Sequence, residues 1–499
     1  MNSRTPIYLV IATILISTPQ TALGYDFTIG KRIDVLLKGD LTYTLRTRTE
    51  NQDCELASLA SGDSNFEKGD LVNNKVITRW ELQGNTSHFT LFGRGELFYD
   101  DVFNDDRFSW ETRKHAEYNF YDGMEYYLEG RFGTFRFRAG RQVVNWGESI
   151  APVFAVAVNT ISPFFGPKVA AAGYTFRDYQ VPTHLLWLNY EATPTLSFEA
   201  VWQPDFDPRY TMPVVGTYGS FSDAFGFGQD GSVDDKRPKR FQDQQQGGVA
   251  IRKVFPSLAN LELGLYYYHH LDRSPSLNFD LKTMSRPVAT YEEINMYGMS
   301  FSQRIEAWDL GLQLNGELAY RPNDTLQKNL IVLSPFLAHQ LGLDPGDSLG
   351  PVGGFERGKT LNWVLGGSRL FSDVLAFTPW IFTLSSVFEF YGSVNLSYDD
   401  DENFSDPNDT YYYFVSLPLS SADLIDNSTV TLQFDATGNL HQEQRSLHRL
   451  SGSLKIKYGD HLEALAGYDW VLGKPEENVG PNNLSDRDQF TFTLTWYFI

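Results

Sequence analysis

The sequence predicts an all-β protein, namely a closed antiparallel transmembrane β-barrel of about 16 strands, with about 18 strands as the alternative and one inward-folded loop. Three observations predict this fold: long runs of alternating apolar and polar residues, an N-terminal export signal, and a final amphipathic strand. The longest uncharged stretch after residue 24, residues 150–167, contains Pro152 and Pro163 and cannot form a regular spanning helix. An exported chain of this kind is either a soluble β protein or a membrane barrel.

The composition excludes several other classes. Of the 499 residues, 62 are Asp or Glu and 41 are Lys or Arg, which gives a formal net charge of −21. Nucleic-acid binding selects clustered Lys and Arg, so this acidic chain is a poor candidate for it. The single cysteine, Cys54, has no partner for a disulfide or for a CxxC metal or redox site. We expect no cofactor and no metal, and no enzymatic activity either, because no GxSxG nucleophile elbow occurs.

The first 24 residues match a secretory signal peptide. Arg4 supplies the positive charge, residues 7–16 are apolar, and Ala22 and Gly24 place small residues at positions −3 and −1 of a cleavage site. The mature chain, residues 25–499, is predicted to form one β-barrel domain in a bacterial outer membrane. Membrane lipid and lipopolysaccharide are therefore expected partners.

Strict alternation over about ten residues separates a membrane barrel from a soluble sandwich. It occurs at residues 37–46, 310–321 and 449–458. Strands of sandwiches usually have about 5–6 residues, whereas membrane strands need about 9–11. The runs therefore predict strands with one face toward lipid and one toward a water-filled lumen. Predicted lipid-facing residues are Leu41, Leu312 and Leu454, and their lumen-facing neighbours are Thr42, Gln313 and Lys455. Charged residues predicted to face the lumen are Arg94, Glu96, Glu262, Glu317, Arg321, Glu389 and Glu463.

The chain ends in an alternating strand that predicts barrel closure. Its apolar positions are Phe490, Phe492, Leu494, Trp496 and Phe498. This strand is similar to the terminal strand by which the outer-membrane barrel assembly machinery recognises its substrates, although Ile499 adds one residue after the in-frame aromatic. We expect it to pair with residues 35–47, because a membrane barrel cannot leave an open edge.

Short and long connections alternate along the chain, as in barrels with short periplasmic turns and long external loops. Brief connections are predicted at residues 84–87, 130–133, 191–194, 256–260, 305–308 and 459–461. Counting between them gives 13 strands up to about residue 398 and three from about residue 447. The segment 399–446 must contribute zero or two strands, because strand direction is conserved. Residues 411–415 and 429–434 are only short candidate strands, which favours a total of about 16 strands over about 18.

The most distinctive stretch lies between residues 135 and 203. Residues 140–149 read GRQVVNWGES, residues 159–163 read NTISP, and residues 196–203 read LSFEAVWQ. This pattern resembles a proteobacterial family of porin-like outer-membrane barrels that is named only as a domain of unknown function. The resemblance implies association with an RND-type exporter and with a LolA/LolB-like lipid-carrier protein. It also implies a hydrophobic or lipid-like cargo.

The loop predicted at residues 145–183 is the candidate constriction or plug. Its core, residues 150–167, is uncharged and interrupted by prolines, so we expect it to leave solvent, fold inward and narrow the pore. Hydrogen bonds to wall residues such as Arg136 and Arg138 would anchor it. The alternative is a structural staple that makes no contact with a solute. Candidate lumen and constriction residues are Arg136, Arg138, Arg141, Gln142, Asn145, Trp146, Glu148 and Asn159.

Two functions fit these predictions. The first is an outer-membrane channel or transport component that passes a small or lipid-like solute, alone or with an RND-type pump. The second is a closed barrel that acts through its long loops as a surface receptor or an envelope assembly scaffold. The acidic residues 399–409 are predicted to form a solvated external loop, and calcium binding there stays open because the EF-hand spacing is absent.

Overall fold

The computed structural model describes residues 25–30, 32–52, 64–119, 124–149, 157–162, 168, 173–174, 176–204, 206, 214, 216–219, 234–235, 245–272, 276–279, 288–306, 311–327, 352–353, 355–375, 377–397, 409–422, 424–440, 447–473 and 484–498. The predicted signal peptide and all but the last residue of the acidic stretch 399–409 lie outside these residues. Within them, no helix is both long enough and apolar enough to cross a membrane.

Eighteen strands form the barrel, and each pairs antiparallel with the next in the chain. They are β1 (Ile33–Arg48), β2 (Leu71–Asn85), β3 (Phe89–Asp100), β4 (Glu125–Phe132), β5 (Phe135–Gln142), β6 (Thr183–Thr193), β7 (Leu196–Gln203), β8 (Gln246–Phe255), β9 (Leu261–Leu271), β10 (Glu293–Ile305), β11 (Leu312–Gln327), β12 (Phe355–Ser372), β13 (Phe382–Asn395), β14 (Asp409–Ala422), β15 (Ser428–Asn439), β16 (Leu447–Tyr458), β17 (Leu462–Gly473) and β18 (Gln489–Phe498). The remaining elements are the short strands Tyr25–Ile29, Tyr118–Asn119, Asp234–Asp235, Ser276–Phe279, Val288–Thr290 and Val352–Gly353, the α-helices Trp110–Ala116 and Phe176–Tyr179, and the 3-10 helices Asp101–Phe103 and Pro256–Leu258.

The barrel closes between its first and last strands, as the terminal alternation predicts. β18 pairs with β1 over the register from Gly39↔Phe498 to Arg48↔Gln489. Leu41 lies opposite Trp496, and on the other face the hydroxyls of Thr42 and Thr495 are 3.1 Å apart. The predicted partner range 35–47 therefore overlaps most of the observed seam.

The predicted count of about 16 strands is wrong, and the alternative count is confirmed. The segment 399–446 contributes two full strands, β14 and β15, rather than none. Their pattern is weak because Pro418 lies within β14 and has no backbone N–H to donate. Pairing with β13 is interrupted there, between Leu384↔Leu419 and Val387↔Ser416, while β15 pairs with β14 without a break.

The two faces of the wall differ as the alternation predicts. Leu454 and Leu318 are 44% and 37% exposed on the outer face. Thr42, Glu317 and Glu389 are buried on the inner face. Short connections occur at all six predicted positions, and two more join β12 to β13 and β14 to β15.

Candidate functional site

One connection, the segment between β5 and β6 (residues 143–182), called here the β5–β6 segment, contacts side chains of several barrel strands. Its described residues are 143–149, 157–162, 168, 173–174 and 176–182. Of the predicted constriction core 150–167, residues 150–156 and 163–167 lie outside the described residues. The site therefore consists of residues 143–149 before that core, residues 157–162 in its middle, and the return of the chain to β6.

A carboxylate on β11 holds the first part of the segment. Glu317 Oε1 accepts the backbone N–H groups of Glu148 at 2.5 Å and Ser149 at 2.6 Å. Its Oε2 accepts the backbone N–H of Val158 at 3.0 Å. Gly147 permits this approach because it adopts a φ of 89° and because a Cβ there would collide with the Glu317 carboxylate. One buried carboxylate thus satisfies three N–H groups of a connecting segment.

Further polar contacts extend this anchor along β11 and onto β13. Asn315 Nδ2 donates to the carbonyl of Glu148 at 2.8 Å. Ser149 Oγ donates to Glu389 Oε2 on β13 at 3.4 Å. Arg321 Nη2 donates to the carbonyl of Ala157 at 3.3 Å. The segment therefore meets side chains of two strands whose charges the sequence places on the inner face.

An apolar cluster packs the same part of the segment against β6–β13. Trp146, Val158 and Ile161 are almost fully buried in it. The Trp146 ring lies 5.7 Å from that of Tyr266 and 6.0 Å from that of Tyr268, both on β9. Burial of this apolar surface stabilises the segment against the wall independently of the Glu317 contact.

The indole groups of Trp146 and Trp187 share one acceptor. Trp146 Nε1 donates to Glu199 Oε2 at 3.1 Å, and Trp187 Nε1 donates to the same oxygen at 2.9 Å. A buried indole needs such an acceptor. Trp146, the tryptophan of the GRQVVNWGES stretch, is thus hydrogen-bonded to β7.

Polar residues of the segment also join its two ends to each other. Asn145 Nδ2 donates to Gln180 Oε1 at 3.0 Å, and Asn159 Nδ2 donates to Asn145 Oδ1 at 3.2 Å. Arg141 Nε donates to the carbonyl of Pro182 at 3.0 Å, and Gln142 Nε2 to that of Leu185 at 3.1 Å. These four predicted site residues therefore close the base of the segment.

The second part of the segment binds the opposite wall through ion pairs. Asp178 pairs with Arg94 on β3 and lies 3.7 Å from Arg79 on β2. Arg79 also donates to the carbonyl of Gly173. Lys168 Nζ lies 2.6 Å from Glu96 Oε1 on β3, and both side chains are buried. β2 and β11 are nine positions apart in a ring of eighteen strands, so the two anchors lie on opposite sides of the barrel.

Glu148 lies beside a group of charged residues close to the first anchor, which is the Glu317 carboxylate. Arg252 on β8 lies 3.9 Å from Glu148, 3.5 Å from Glu199 and 3.8 Å from Glu262. Burial raises the pKa of Glu148 to about 7, Arg252 opposes this rise, and Glu262 and Glu317 add to it. The charge of this loop carboxyl therefore changes near neutral pH.

Six of the eight predicted site residues belong to the β5–β6 segment or its base, and two do not. Arg136 pairs with Glu191, and Arg138 lies 4.5 Å from the ring centroid of Trp187, so neither anchors a described part of the segment. The expectation that these arginines anchor the loop therefore stays a prediction. Arg136 lies next to the β4–β5 turn, away from the end of β5 where the segment begins.

Sequence reasoning identified Glu317 and Glu389 as lumen-facing charges but not as partners of the segment. Alternation predicts which face of the strand a residue occupies. It does not predict which distant loop segment the residue contacts. Of the second anchor, the sequence likewise predicted the lumen-facing charges Arg94 and Glu96 but not their partners Asp178 and Lys168. A short polar run around residue 178 within an apolar loop was the available signal.

Several solved structures are similar to this chain at low sequence identity. OccAB4 of Acinetobacter baumannii has a TM-score of 0.47 and 9% identity, with 94% of this chain and 99% of that chain covered. OccAB1 of the same bacterium has a TM-score of 0.45 and 9% identity, with 96% and 99% covered. OmpF of Salmonella typhi, solved in complex with daunomycin, has a TM-score of 0.42 and 10% identity, with 94% and 99% covered. No curated protein matches the chain.

Closed strand pairing defines the class of this protein as an antiparallel β-barrel of 18 strands. Its family follows from a match over nearly the whole chain. The protein belongs to the family described as "Protein of unknown function (DUF1302)", whose model matches residues 5–498. Membership in a family of unknown function agrees with the resemblance stated above, whereas the exporter and the lipid carrier stay predictions.

Proposed function

We propose that this protein is an outer-membrane channel in which the β5–β6 segment crosses the lumen and restricts the passage of a small solute. The observation that carries the proposal is the attachment of one segment to β11 through Glu317 and to β2 through Arg79, on opposite sides of the ring. A segment that is bound to opposite sides of the ring must pass through the interior of the barrel. It therefore divides the lumen.

The chemistry of the two faces supports a membrane location and a wet interior. The outer face carries exposed apolar side chains such as Leu365 and Phe434. The inner face carries hydrogen-bonded charges, including Glu199, Arg252 and Glu389. Apolar outside and polar inside is the arrangement of a barrel that spans a bilayer and contains water. A barrel of about 16–18 strands is wide enough for an aqueous channel.

Two solute classes follow from different observations. The family resemblance favours a hydrophobic or lipid-like cargo that an RND-type exporter and a lipid-carrier protein would deliver or receive. The charged group around Arg252 and Glu148 favours a small hydrated solute, because exposed charges in a narrow passage select for water-soluble species. In both cases the solute passes through the lumen. The single-channel recordings described below distinguish a lipid-like solute from a small hydrated one.

Single-channel recording in planar bilayers tests the proposed function. We expect steady conductance from the purified barrel, and a larger conductance after removal of residues 153–163 from the β5–β6 segment. A deletion of equal length within residues 220–233, in the connection between β7 and β8, is the matched control and should leave conductance close to that of the wild type. A lipid-like cargo would block the wild-type current from one side, whereas a small polar solute would carry or modulate it.

A silent barrel would overturn the proposal. If the wild type and the 153–163 deletion both insert as heat-modifiable barrels and neither conducts, the lumen is closed and the receptor or scaffold function gains support. If the deletion prevents folding, the Glu148→Ala variant serves instead, because it keeps the backbone contacts of the segment and should shift ion selectivity.

A further inference from the structure

Lys75 is a buried cation on the inner face of β2 without a hydrogen-bond or ion-pair partner among the described residues. The residue is 5% exposed. Its ammonium lies 3.8 Å from the ring centroid of Phe98 and 4.7 Å from that of Tyr174, which belongs to the β5–β6 segment. Aromatic faces attract a cation but do not replace hydrogen-bond acceptors for its three N–H groups. Lys75 therefore keeps unused donors in a buried position.

The carboxylates closest to Lys75 are bound by other donors. Glu96 pairs with Lys168 at 2.6 Å. Asp100 accepts the backbone N–H of Asn74 at 2.9 Å. A buried charge is costly unless it is paired and hydrogen-bonded. Both carboxylates attract the Lys75 ammonium, but among the described residues neither forms a hydrogen bond or an ion pair with it.

A second donor of this kind lies beside the first. The hydroxyl of Tyr174 is buried and has no hydrogen-bond partner. Burial raises the pKa of Tyr174 well above its usual value, so the hydroxyl keeps its proton and can donate it in a hydrogen bond. The cations of Lys168 and Arg79 also approach this ring, at 5.2 and 5.6 Å from its centroid.

We propose that a small anion of the size of chloride binds between the Lys75 ammonium and the Tyr174 hydroxyl, and so bridges the barrel wall to the β5–β6 segment. An anion accepts from both donors at once. The cations of Lys168 and Arg79 favour it electrostatically, whereas the carboxylates of Glu96, Asp178 and Asp100 oppose it. The site goes beyond the proposed function and does not depend on it, because binding is a property of the folded protein whether or not it conducts.

The packing around Gly173 holds the backbone beside Tyr174 against the wall. Gly173 adopts a φ of 85°, and a Cβ there would lie 2.6 Å from Thr44 Oγ1 and 3.0 Å from Ile77 Cδ1. The segment next to Tyr174 is therefore fixed close to β1 and β2, the wall that carries Lys75.

Halide-dependent stability of the detergent-solubilised, full-length barrel tests the site. The midpoint of thermal unfolding is measured in sodium chloride, in sodium bromide and in sodium gluconate at equal ionic strength, so that screening is constant. A ligand bound only by the folded state should raise the midpoint by about 2 °C for each tenfold increase in halide, and gluconate should not. Crystals in sodium bromide should show an anomalous peak within hydrogen-bond distance of both donors.

The variants separate this site from general salt effects. Tyr174→Phe keeps the ring over Lys75 and removes only the hydroxyl, so it should at least halve the halide dependence. Lys75→Met should abolish it. Lys455→Met, which removes a lysine on the inner face of β16, is the matched control and should retain it. If Tyr174→Phe keeps the full halide dependence, or if a water and no bromide occupies the position, no anion site exists there.

Discussion

Replacing Glu317 with alanine should release the first anchor of the β5–β6 segment while the wall stays closed. The carboxylate accepts three backbone N–H groups, at 2.5, 2.6 and 3.0 Å. Hydrogen bonds to charged groups contribute about 1.5–3 kcal/mol each, but the released N–H groups can be hydrated and the buried carboxylate carries a desolvation cost of its own. We therefore expect a net loss of about 3 kcal/mol in the free energy that holds the segment. This raises the detached population roughly a hundredfold.

Amide hydrogen exchange and single-channel recording measure this change. The amides of Glu148, Ser149 and Val158 should lose protection by about two orders of magnitude, and conductance should fluctuate between two levels because the apolar packing of Trp146 still restores the closed position. Glu463→Ala, on the inner face of β17, is the control. Wild-type protection and a quiet current in a normally inserted Glu317→Ala barrel would refute the reasoning.

At Leu454, on the outer face of β16, arginine should cost roughly 2–4 kcal/mol of folding free energy near the bilayer midplane, whereas Ser453→Arg should assemble normally; heat-modifiable mobility after membrane extraction distinguishes them, and equal assembly would mean that the two faces are assigned the wrong way round. Deleting residues 490–499 should leave a protease-sensitive chain, because β1 then keeps an unpaired edge; a heat-modifiable barrel from this deletion would contradict the observed seam. Because burial raises the pKa of Glu148 to about 7, the group is neutral below this pH and negative above it. Cation selectivity should therefore increase between about pH 6 and about pH 8, and Glu148→Gln should flatten this dependence; an unchanged profile in that variant would assign the titration to another group.

The alternation of apolar and polar residues predicted most of the barrel strands, because a membrane strand exposes one face to lipid and the other to the water-filled lumen. It located thirteen strands before residue 398 and three after residue 446, all of which the structure contains. It failed at β14 and β15, where Pro418 and a run of serines weaken the contrast between the faces. Strand count in a closed barrel is a global property, so two weak strands are enough to change the total.

The contacts of the β5–β6 segment were harder to predict from the sequence than the barrel strands. Trp146 and Glu148 were identified from their motif, but their partners Glu199 and Glu317 follow 53 and 169 residues later. Nothing local in the chain encodes such a pairing, because it depends on the curvature of the whole sheet. Among the described residues, the expected anchors Arg136 and Arg138 contact Glu191 and Trp187.

The attachment of the β5–β6 segment to β2 and to β11 links this segment to the closure of the barrel. The seam between β1 and β18 joins residues more than 400 positions apart, as in the contact of Thr42 with Thr495, which are 453 positions apart. Because β5 and β6 are neighbouring strands, the segment between them can enter the lumen through the end of the barrel, before or after the seam forms. Once bound to both β2 and β11, it joins opposite sides of the wall and so favours the curved, closed sheet over an open one. Weakened anchors should then lower the yield of closed barrels as well as change their conductance.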